Sequence, residues 1–448
     1  MSQLPQIYLS SMESDDRVLY SDASSSSSSY RPNYSQSNIS RISTSTAPST
    51  TVPDEGLIAR TYDAAKTLSH IKCPHQLRRD HLSSSFGSSH ETTAFNYAYQ
   101  SYAQTSHMGV LDPAYKVFVS QKGYGSLIYK LHARTVVVAG DPLCSEFHRK
   151  PLLDELRRYR WHRGLSLAFI GISENFAKYA QEQGWATMHF GHEAVFNPLT
   201  NKVLRKQAGK RTISQNKQLL DPKRGGISMN LYCPGHNEMD SELEQRLQKL
   251  YDDWREDRNA KHGDGSQAFV TVYDLFSHPE FTMFLYTTDR DGKINGLATL
   301  RELGAQSGYH LDPCIASQDA PRGISDLLLV TSMELLKASD ISYMSLGFEP
   351  LDHVEEITGQ SKVVAKLWKD SYNQMIQSVP VSGKSAYFKK FCPDESQTSK
   401  LFICMPSRGI PIRRSIALMQ FANMNVGQLF SQIHLGERNK DKPTSEGQ

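Results

Sequence analysis

Three carboxylates fall where the chain pattern ends a strand or opens a helix. Glu349 lies in Met344-Ser-Leu-Gly-Phe-Glu-Pro-Leu351. A strand is predicted over Tyr343–Leu346, running into Gly347, where the backbone can turn or approach a ligand closely. A carboxylate just beyond, before Pro350, is placed to act as a general base. The same pattern also fits a turn with a solvated glutamate. Asp326 follows Arg322-Gly323 at the start of a predicted helix, Ile324–Ala338. Either it complements the helix dipole, worth about 0.3–1 kcal/mol, or it is an acid lining a cleft. Asp141 sits in Gly140-Asp141-Pro142 at the end of the β run Val136–Ala139. Gly-Asp-Pro is also a common turn, so a purely structural role competes.

A second constellation is electrostatic. Between residues 202 and 224 there are eight basic residues and one acid. A helix is predicted over Lys202–Leu220. At 100° per residue, Lys202, Lys206, Lys210 and Lys217 then fall within a sector of about 80°, with Arg205 to one side and Arg211 in the same run. Such a stripe matches the charge of an RNA duplex, which is read by shape and phosphate; the alternative is a solvated helix face. Lys389 and Lys390, in Tyr387-Phe-Lys-Lys-Phe391, extend the basic set.

Apolar residues recur every three or four positions near the C-terminus, among them Ile412, Ile416, Met419 and Phe430, and Arg408, Arg413 and Arg414 flank their start. This predicts an amphipathic helix within 407–436, either lying at a lipid interface or packing on the core. Other chemistries lack their signatures. There is no GxSxG, HExxH, Walker loop or Rossmann fingerprint. His189 and His192 have metal-ligand spacing without a third ligand nearby, so no metal is expected. The six cysteines show no zinc or CxxC spacing and are expected as reduced thiols.

These residues need a scaffold. The chain has 448 residues, is 38% hydrophobic and carries a formal charge of +3, so it can bury more than one core and any polyanion surface must be local. Residues 21–50 contain 16 Ser or Thr, and 1–55 are expected to be a disordered tail. Residues 56–90 are transitional and 437–448 a polar tail. From 91 onward the pattern is mixed α/β. Helix Thr92–Met108 precedes strands Tyr115–Ser120, Ser126–Leu131 and Thr135–Ala139. Then come helix Lys150–Arg163, strand Ser166–Gly171, and helix Ser173–Gln183 with Ser173 as N-cap. The second half starts over: strand Ile227–Cys233, helix Asp240–Asn259, a hairpin of Phe281–Thr288 and Gly296–Glu302 about Asp291-Gly292, helix Ile324–Ala338, helix Lys362–Gln377 and strand Leu401–Met405. Two α/β domains are therefore expected, 91–225 and 226–406. No run of 18 apolar residues and no secretory leader is evident, so a cytoplasmic protein, in at most peripheral contact with a membrane, is expected.

Several strings occur in a characteristic order: Ser106-His-Met-Gly109, Val137-Val-Ala-Gly-Asp-Pro-Leu143, Leu204-Arg-Lys-Gln-Ala-Gly-Lys-Arg211, Asp253-Trp-Arg255, Gly323-Ile-Ser-Asp-Leu-Leu328, Met344–Leu351 and Tyr387–Phe391. Over about 92–435 this order resembles the soluble catalytic domain of the lysyl-phosphatidylglycerol synthases, and within that family it looks closest to free-standing fungal members of the glycyl-ergosterol type. The resemblance implies a tandem GNAT-like fold with a cleft between or beside its halves, a charged tRNA as donor and a lipid hydroxyl as acceptor, with no further cofactor because the donor is already an activated ester. With such a donor, the residues themselves place Glu349 as base or as the partner of the donor's ammonium group and Arg322 at the terminal phosphate of the tRNA, while the resemblance implies that Asp141 lies near the pocket. The membrane domain of bacterial members and synthetase motifs are not found, so an external aminoacyl-tRNA synthetase is expected to supply the donor. Glycine is favoured over aspartate as the amino acid, and the 3-hydroxyl of ergosterol over phosphatidylglycerol. A CoA-dependent N-acetyltransferase and a non-catalytic tRNA-binding module are the competing readings.

Overall fold

Alternating apolar strands with helical crossovers build one large mixed sheet. The structure, a computed structural model, describes residues 56–74, 90–262, 272–354, 356–377, 382–406 and 412–422. The Ser/Thr-rich tail, Phe430 and the polar C-terminal tail lie outside the described residues. The strands are β1 (Ile71–Lys72), β2 (Lys116–Val119), β3 (Ser126–His132), β4 (Thr135–Leu143), β5 (Ser166–Ile172), β6 (Ala186–Phe196), β7 (Ser228–Tyr232), β8 (Thr282–Thr288), β9 (Ile294–Leu303), β10 (Gly308–Ala316), β11 (Met344–Pro350), β12 (Ile357–Thr358) and β13 (Ser399–Met405). The helices are α1 (Leu57–Ala65), α2 (His90–Tyr102), α3 (Glu146–Trp161), α4 (Glu174–Glu182), α5 (Lys210–Leu220), α6 (Ser241–His262), α7 (Ile324–Ala338), α8 (Lys362–Gln377), α9 (Ser382–Lys389) and α10 (Ile412–Phe421).

Across the sheet the strands run β1-β7-β8-β9-β10-β11-β6-β13-β5-β4-β3-β2, with β12 added on β6. One unit occurs twice. The antiparallel meander β2-β3-β4 leads through α3 to β5, parallel to β4; β8-β9-β10 leads through α7 to β11, parallel to β10. This is the repeated α/β layout that the sequence predicts. Strand β13, from late in the chain, enters between β5 and β6 and hydrogen-bonds to both. The central strands are apolar on both faces, because helices cover both: every residue of β4 and of β9 is buried. Helix α3 packs Leu152, Leu153, Leu156 and Tyr159 on one side of the β3–β5 region, and α10 covers β3, β4 and β5 through Ala417 and Leu418 from the cluster that includes Val137 and Ile170.

Both parallel pairs come apart. Strands β4 and β5 pair only as far as Ala139 and Ile170, and β10 and β11 only at Tyr309–His310 with Met344–Ser345. The residues beyond each parting include Asp141 and Glu349.

Four expectations need correction. The helix predicted over Thr92–Met108 stops at Tyr102, and Thr105–Leu111 forms a separate 3-10 segment. The basic helix begins at Lys210, not Lys202, because Gly209 takes a left-handed conformation (φ 66°) as its N-cap. The strand predicted over Tyr343–Leu346 continues through a bulge to Pro350. Strands β6 and β10 have no counterpart among the predicted elements. Ser173 caps α4 as predicted, its hydroxyl accepting from the Phe176 N–H at 3.2 Å.

Candidate functional site

The parting of β10 from β11 places α7 so that its first turn faces α9. Asp326, in that turn, is largely buried. Its carboxylate accepts from the Tyr387 hydroxyl at 2.8 Å and from Lys390 Nζ at 2.8 and 2.9 Å on its two oxygens. The ammonium of Lys390 also lies 4.1 Å from the Tyr387 ring centre and 4.8 Å from that of Phe391. Burial, with Cys314 and Asp326 beside it, pushes the Tyr387 hydroxyl far above its ordinary range, so it stays a proton donor. Burial and the neighbouring Asp326 and Asp312 push the Cys314 thiol to about 12, so it is not a thiolate nucleophile at neutral pH. The structure thus joins the predicted acid Asp326 to the predicted cation Lys390 in one ion pair.

Glu349 is a strand residue. It stands opposite His192 of β6, with His192 Nε2 3.1 Å from Glu349 Oε2. The imidazole is 35% exposed and the carboxylate 18%, so the pair is anchored yet reachable from solvent. A carboxylate that orients an imidazole is a general acid–base arrangement. His189 does not join it: its Nε2 bonds to the Gly191 carbonyl at 3.0 Å. Among the described residues no group of three or more His, Cys, Asp or Glu could hold a metal ion.

Asp141 is committed elsewhere. Its carboxylate accepts from the Ser173 N–H at 2.8 Å, the Ser173 hydroxyl at 2.6 Å and the Gln104 amide at 3.4 Å, tying β4 to the cap of α4. Above it the 3-10 segment Thr105–Leu111 plugs the β4/β5 parting. The hydroxyls of Thr105 and Ser106 bond to Glu193 and the Gly171 carbonyl. His107 Nδ1 accepts from the Gln104 N–H at 2.9 Å, so its Nε2–H donates to the Asp141 carbonyl, also at 2.9 Å. Burial lowers the pKa of this imidazole, which keeps it neutral. Gly140 (φ 73°) is required here, since a Cβ would sit 2.7 Å from His107 Nε2. From the other half of the sheet, the wholly buried Arg301 donates to the Met108 carbonyl at 2.8 Å. Sequence reasoning missed the roles of His107 and of His192, which it weighed only as a metal ligand, and missed Glu193 and Arg301. The Ser106–Gly109 string pointed to the first; no periodicity signals the others.

Residues 95–402 match the family model for the phosphatidylglycerol lysyltransferase C-terminal domain. The chain belongs to that family. It is 22% identical over 295 residues to the phosphatidylglycerol lysyltransferase of Bacillus subtilis (strain 168), an alignment covering 64% of this chain and 32% of that protein. The match thus spans about a third of the curated relative's length. Two solved structures share the fold. One is L-PGS from Bacillus licheniformis, with TM-score 0.56 and 16% identity over 75% of this chain and 97% of the other. The second is a C-terminal domain assigned to a lysylphosphatidylglycerol synthetase of Agrobacterium fabrum, with TM-score 0.55 and 17% identity over 74% and 94%. The family span contains Asp141, Asp326, Glu349 and the whole basic set, and ends before α10.

Within this lysyltransferase-family domain the basic residues gather from separate segments. Lys202, Arg205 and Lys206 lie on turns, Lys210, Arg211 and Lys217 on α5, and all six are at least partly exposed. Asn201 fastens the turn to the end of α9, donating to the carbonyls of Phe391 at 2.8 Å and Cys392 at 3.2 Å, which brings it beside Lys389 and Lys390. Gln215 of α5 donates to the Arg322 carbonyl at 2.6 Å, which brings Arg322 to the same helix. The cations therefore form a patch through tertiary contacts rather than a stripe on one helix. On the apolar side, Ile416 and Met419 are half-buried on α10, and Phe421 packs edge-on against Tyr115 at 5.6 Å. Ile412 opens that helix. The described part of this helix is a packing element, and no described helix is long and apolar enough to cross a membrane.

Proposed function

We propose that this chain is an aminoacyltransferase that moves an amino acid from a charged tRNA to the hydroxyl of a lipid. Membership of the phosphatidylglycerol lysyltransferase C-terminal family across residues 95–402 carries the reading. The donor ester already holds the energy of the new bond, so the protein has to position two substrates, stabilise the carbonyl oxygen, take the proton from the lipid hydroxyl as its oxygen bonds to the carbonyl carbon, and return a proton to the ribose oxygen as the tRNA ester bond breaks. In this reading the patch Lys202, Arg205, Lys206, Lys210, Arg211, Lys217, Arg322 and Lys389 receives the acceptor stem of the tRNA. Asp326, held by Tyr387 and Lys390, and Glu349, paired with His192, border the reaction centre; Glu349 with His192 is the acid–base pair. Asp141 positions the wall of the site. The tRNA arrives charged by a separate synthetase, and the lipid is met at a membrane surface, with Ile416 and Met419 on the apolar side of its path.

Two acceptors are compatible with this chemistry. Phosphatidylglycerol is favoured by what the Bacillus subtilis relative is named for, and the 3-hydroxyl of ergosterol, with glycine as the amino acid, by the order of short strings in the sequence. Purified protein supplied in turn with each charged tRNA, and with phosphatidylglycerol or ergosterol, separates them by the ninhydrin-positive lipid formed. RNase must abolish product. Product formed equally well from free amino acid and ATP, or acetylation from acetyl-CoA without tRNA, would overturn the mechanism. Binding of tRNA with no transfer to either lipid would reduce the chain to a binding module.

A further inference from the structure

Helix α3 turns an unusual face to solvent. Its buried side is set by Leu152, Leu153, Leu156 and Tyr159. On the opposite side Phe147 is 93% exposed and Trp161 77%. At 100° per residue the two aromatics project within about 40° of each other, and at 1.5 Å per residue they stand about 21 Å apart along the helix. Lys150, Asp154, Arg157 and Arg158 project between or beside them, within a sector of about 100°. Asp154 is shared by Lys150 at 3.1 Å and Arg157 at 3.5 Å, so three cations against one anion leave the face positive. His162 and Arg163 continue it past the helix end, both exposed.

Large aromatics left this open are not explained by packing among the described residues. Isolated exposed apolar residues are ordinary, but here two of the largest flank a row of cations on one continuous helix that runs through Pro151. That is the chemistry of an interfacial surface: aromatic rings enter the headgroup–acyl boundary while long basic side chains reach anionic headgroups. A single-stranded nucleic acid would also meet rings and cations. It is disfavoured by the spacing, since stacked bases need neighbouring rings rather than rings at opposite ends of a helix.

We propose that the outward face of α3 is a membrane-contact surface for bilayers carrying anionic lipid, anchored by Phe147 and Trp161 and held by Lys150, Arg157 and Arg158. Its purpose rests on the proposed lipid acceptor: a surface contact here would hold this domain against the bilayer that carries the acceptor hydroxyl.

The test is co-sedimentation of the full chain with phosphatidylcholine vesicles and with vesicles in which about one third of the lipid is phosphatidylglycerol. The protein should favour the anionic vesicles and be released by salt. Combined Phe147→Ser and Trp161→Ser should lower partitioning at least about tenfold, the worth of burying one large apolar side chain. Lys150→Glu with Arg158→Glu should erase the preference for anionic lipid. Since all four side chains are exposed, thermal unfolding should not change, which guards against misfolding. Trp161→Phe should keep binding while losing the vesicle-induced shift in tryptophan emission. Wild-type binding by the double aromatic variant would overturn the proposal. So would loss of tRNA binding with vesicle binding intact, which makes the face an RNA surface, or a wild-type dimer in light scattering that the variant lacks. The two readings fail separately. Transfer to a monomeric short-chain acceptor should be unaffected in the α3 variants, whereas absence of transfer by wild-type protein that still binds vesicles would sink the proposed function alone.

Discussion

Replacing Glu302 with glutamine should flatten the pH dependence of folding. Glu302 lies on β9, directly after Arg301, with 9% of its surface exposed. Burial alone raises its carboxyl from an ordinary 4.5 to about 7. Between those values the native state keeps a proton that the unfolded chain has released, so stability falls as pH rises, by about 1.4 kcal/mol per pH unit. The contribution is complete below pH 4.5 and lost by the time pH has passed 7. Over the whole window this amounts to about 3 kcal/mol, a large share of the stability of an ordinary domain. Glutamine has nearly the same shape and no charge to desolvate. Urea unfolding of both proteins from pH 4 to 8.5 should give a difference near zero at the acid end, growing to about 3 kcal/mol in favour of the variant at the alkaline end. All other titrating groups are common to the two proteins and cancel in the difference. Parallel curves would refute the reasoning, since they would mean that Glu302 is ionised in the native state at the same pH as in the unfolded chain.

Other residues should separate by role. Asp326→Ala and Glu349→Ala should abolish amino-acid transfer while leaving tRNA affinity, measured by filter binding, close to wild type. Lys206→Glu with Lys210→Glu should weaken tRNA binding instead, and the log–log dependence of affinity on salt should become shallower by about one for each phosphate no longer neutralised. Equal behaviour of the two classes would undo the division between chemistry and tRNA docking. Elsewhere, Lys130 and Asp112 form a buried ion pair at 2.6 Å beneath the Tyr115 ring. Lys130→Met should cost about 3–5 kcal/mol in urea unfolding by stranding the carboxylate, and adding Asp112→Asn, which still accepts the Ala114 N–H, should restore much of it.

How legible the molecule was depends on the kind of signal. Strands β3 to β5 and helices α4, α6 and α7 follow from local periodicity and capping, with Ser173 as the clearest case. Strand β10 was hidden by Pro313, which argues against a strand interior. Strand β6 was hidden because Gly191 and two bulged registers break its alternation. Charge spacing alone makes the basic helix too long, because it cannot see Gly209 acting as an N-cap. Nor can it see that Asn201 and Gln215 draw the separate basic segments together through tertiary bonds. The His192–Glu349 pair joins residues 157 positions apart, a distance at which single-sequence patterns carry no information.

The two strand partings are used differently, and this ranks the three carboxylates. The β4/β5 parting is filled by Thr105–Leu111, and its polar groups are spent on one another: Asp141 takes three donors, His107 is held at both nitrogens and Ser106 reaches Gly171. A carboxylate so satisfied has little capacity left for a substrate proton, and removing it would release the cap of α4. Around the second parting, Lys390 remains 41% exposed and the His192 ring 35%, so both pairs can exchange a protein partner for a substrate group without stranding a buried charge. That favours Asp326 and Glu349 over Asp141 as the groups that meet the reacting atoms. It also makes Asp141→Asn distinctive: it should lower the melting temperature, and any loss of transfer should track the fraction unfolded, whereas Glu349→Gln should lose transfer with its melting temperature unchanged.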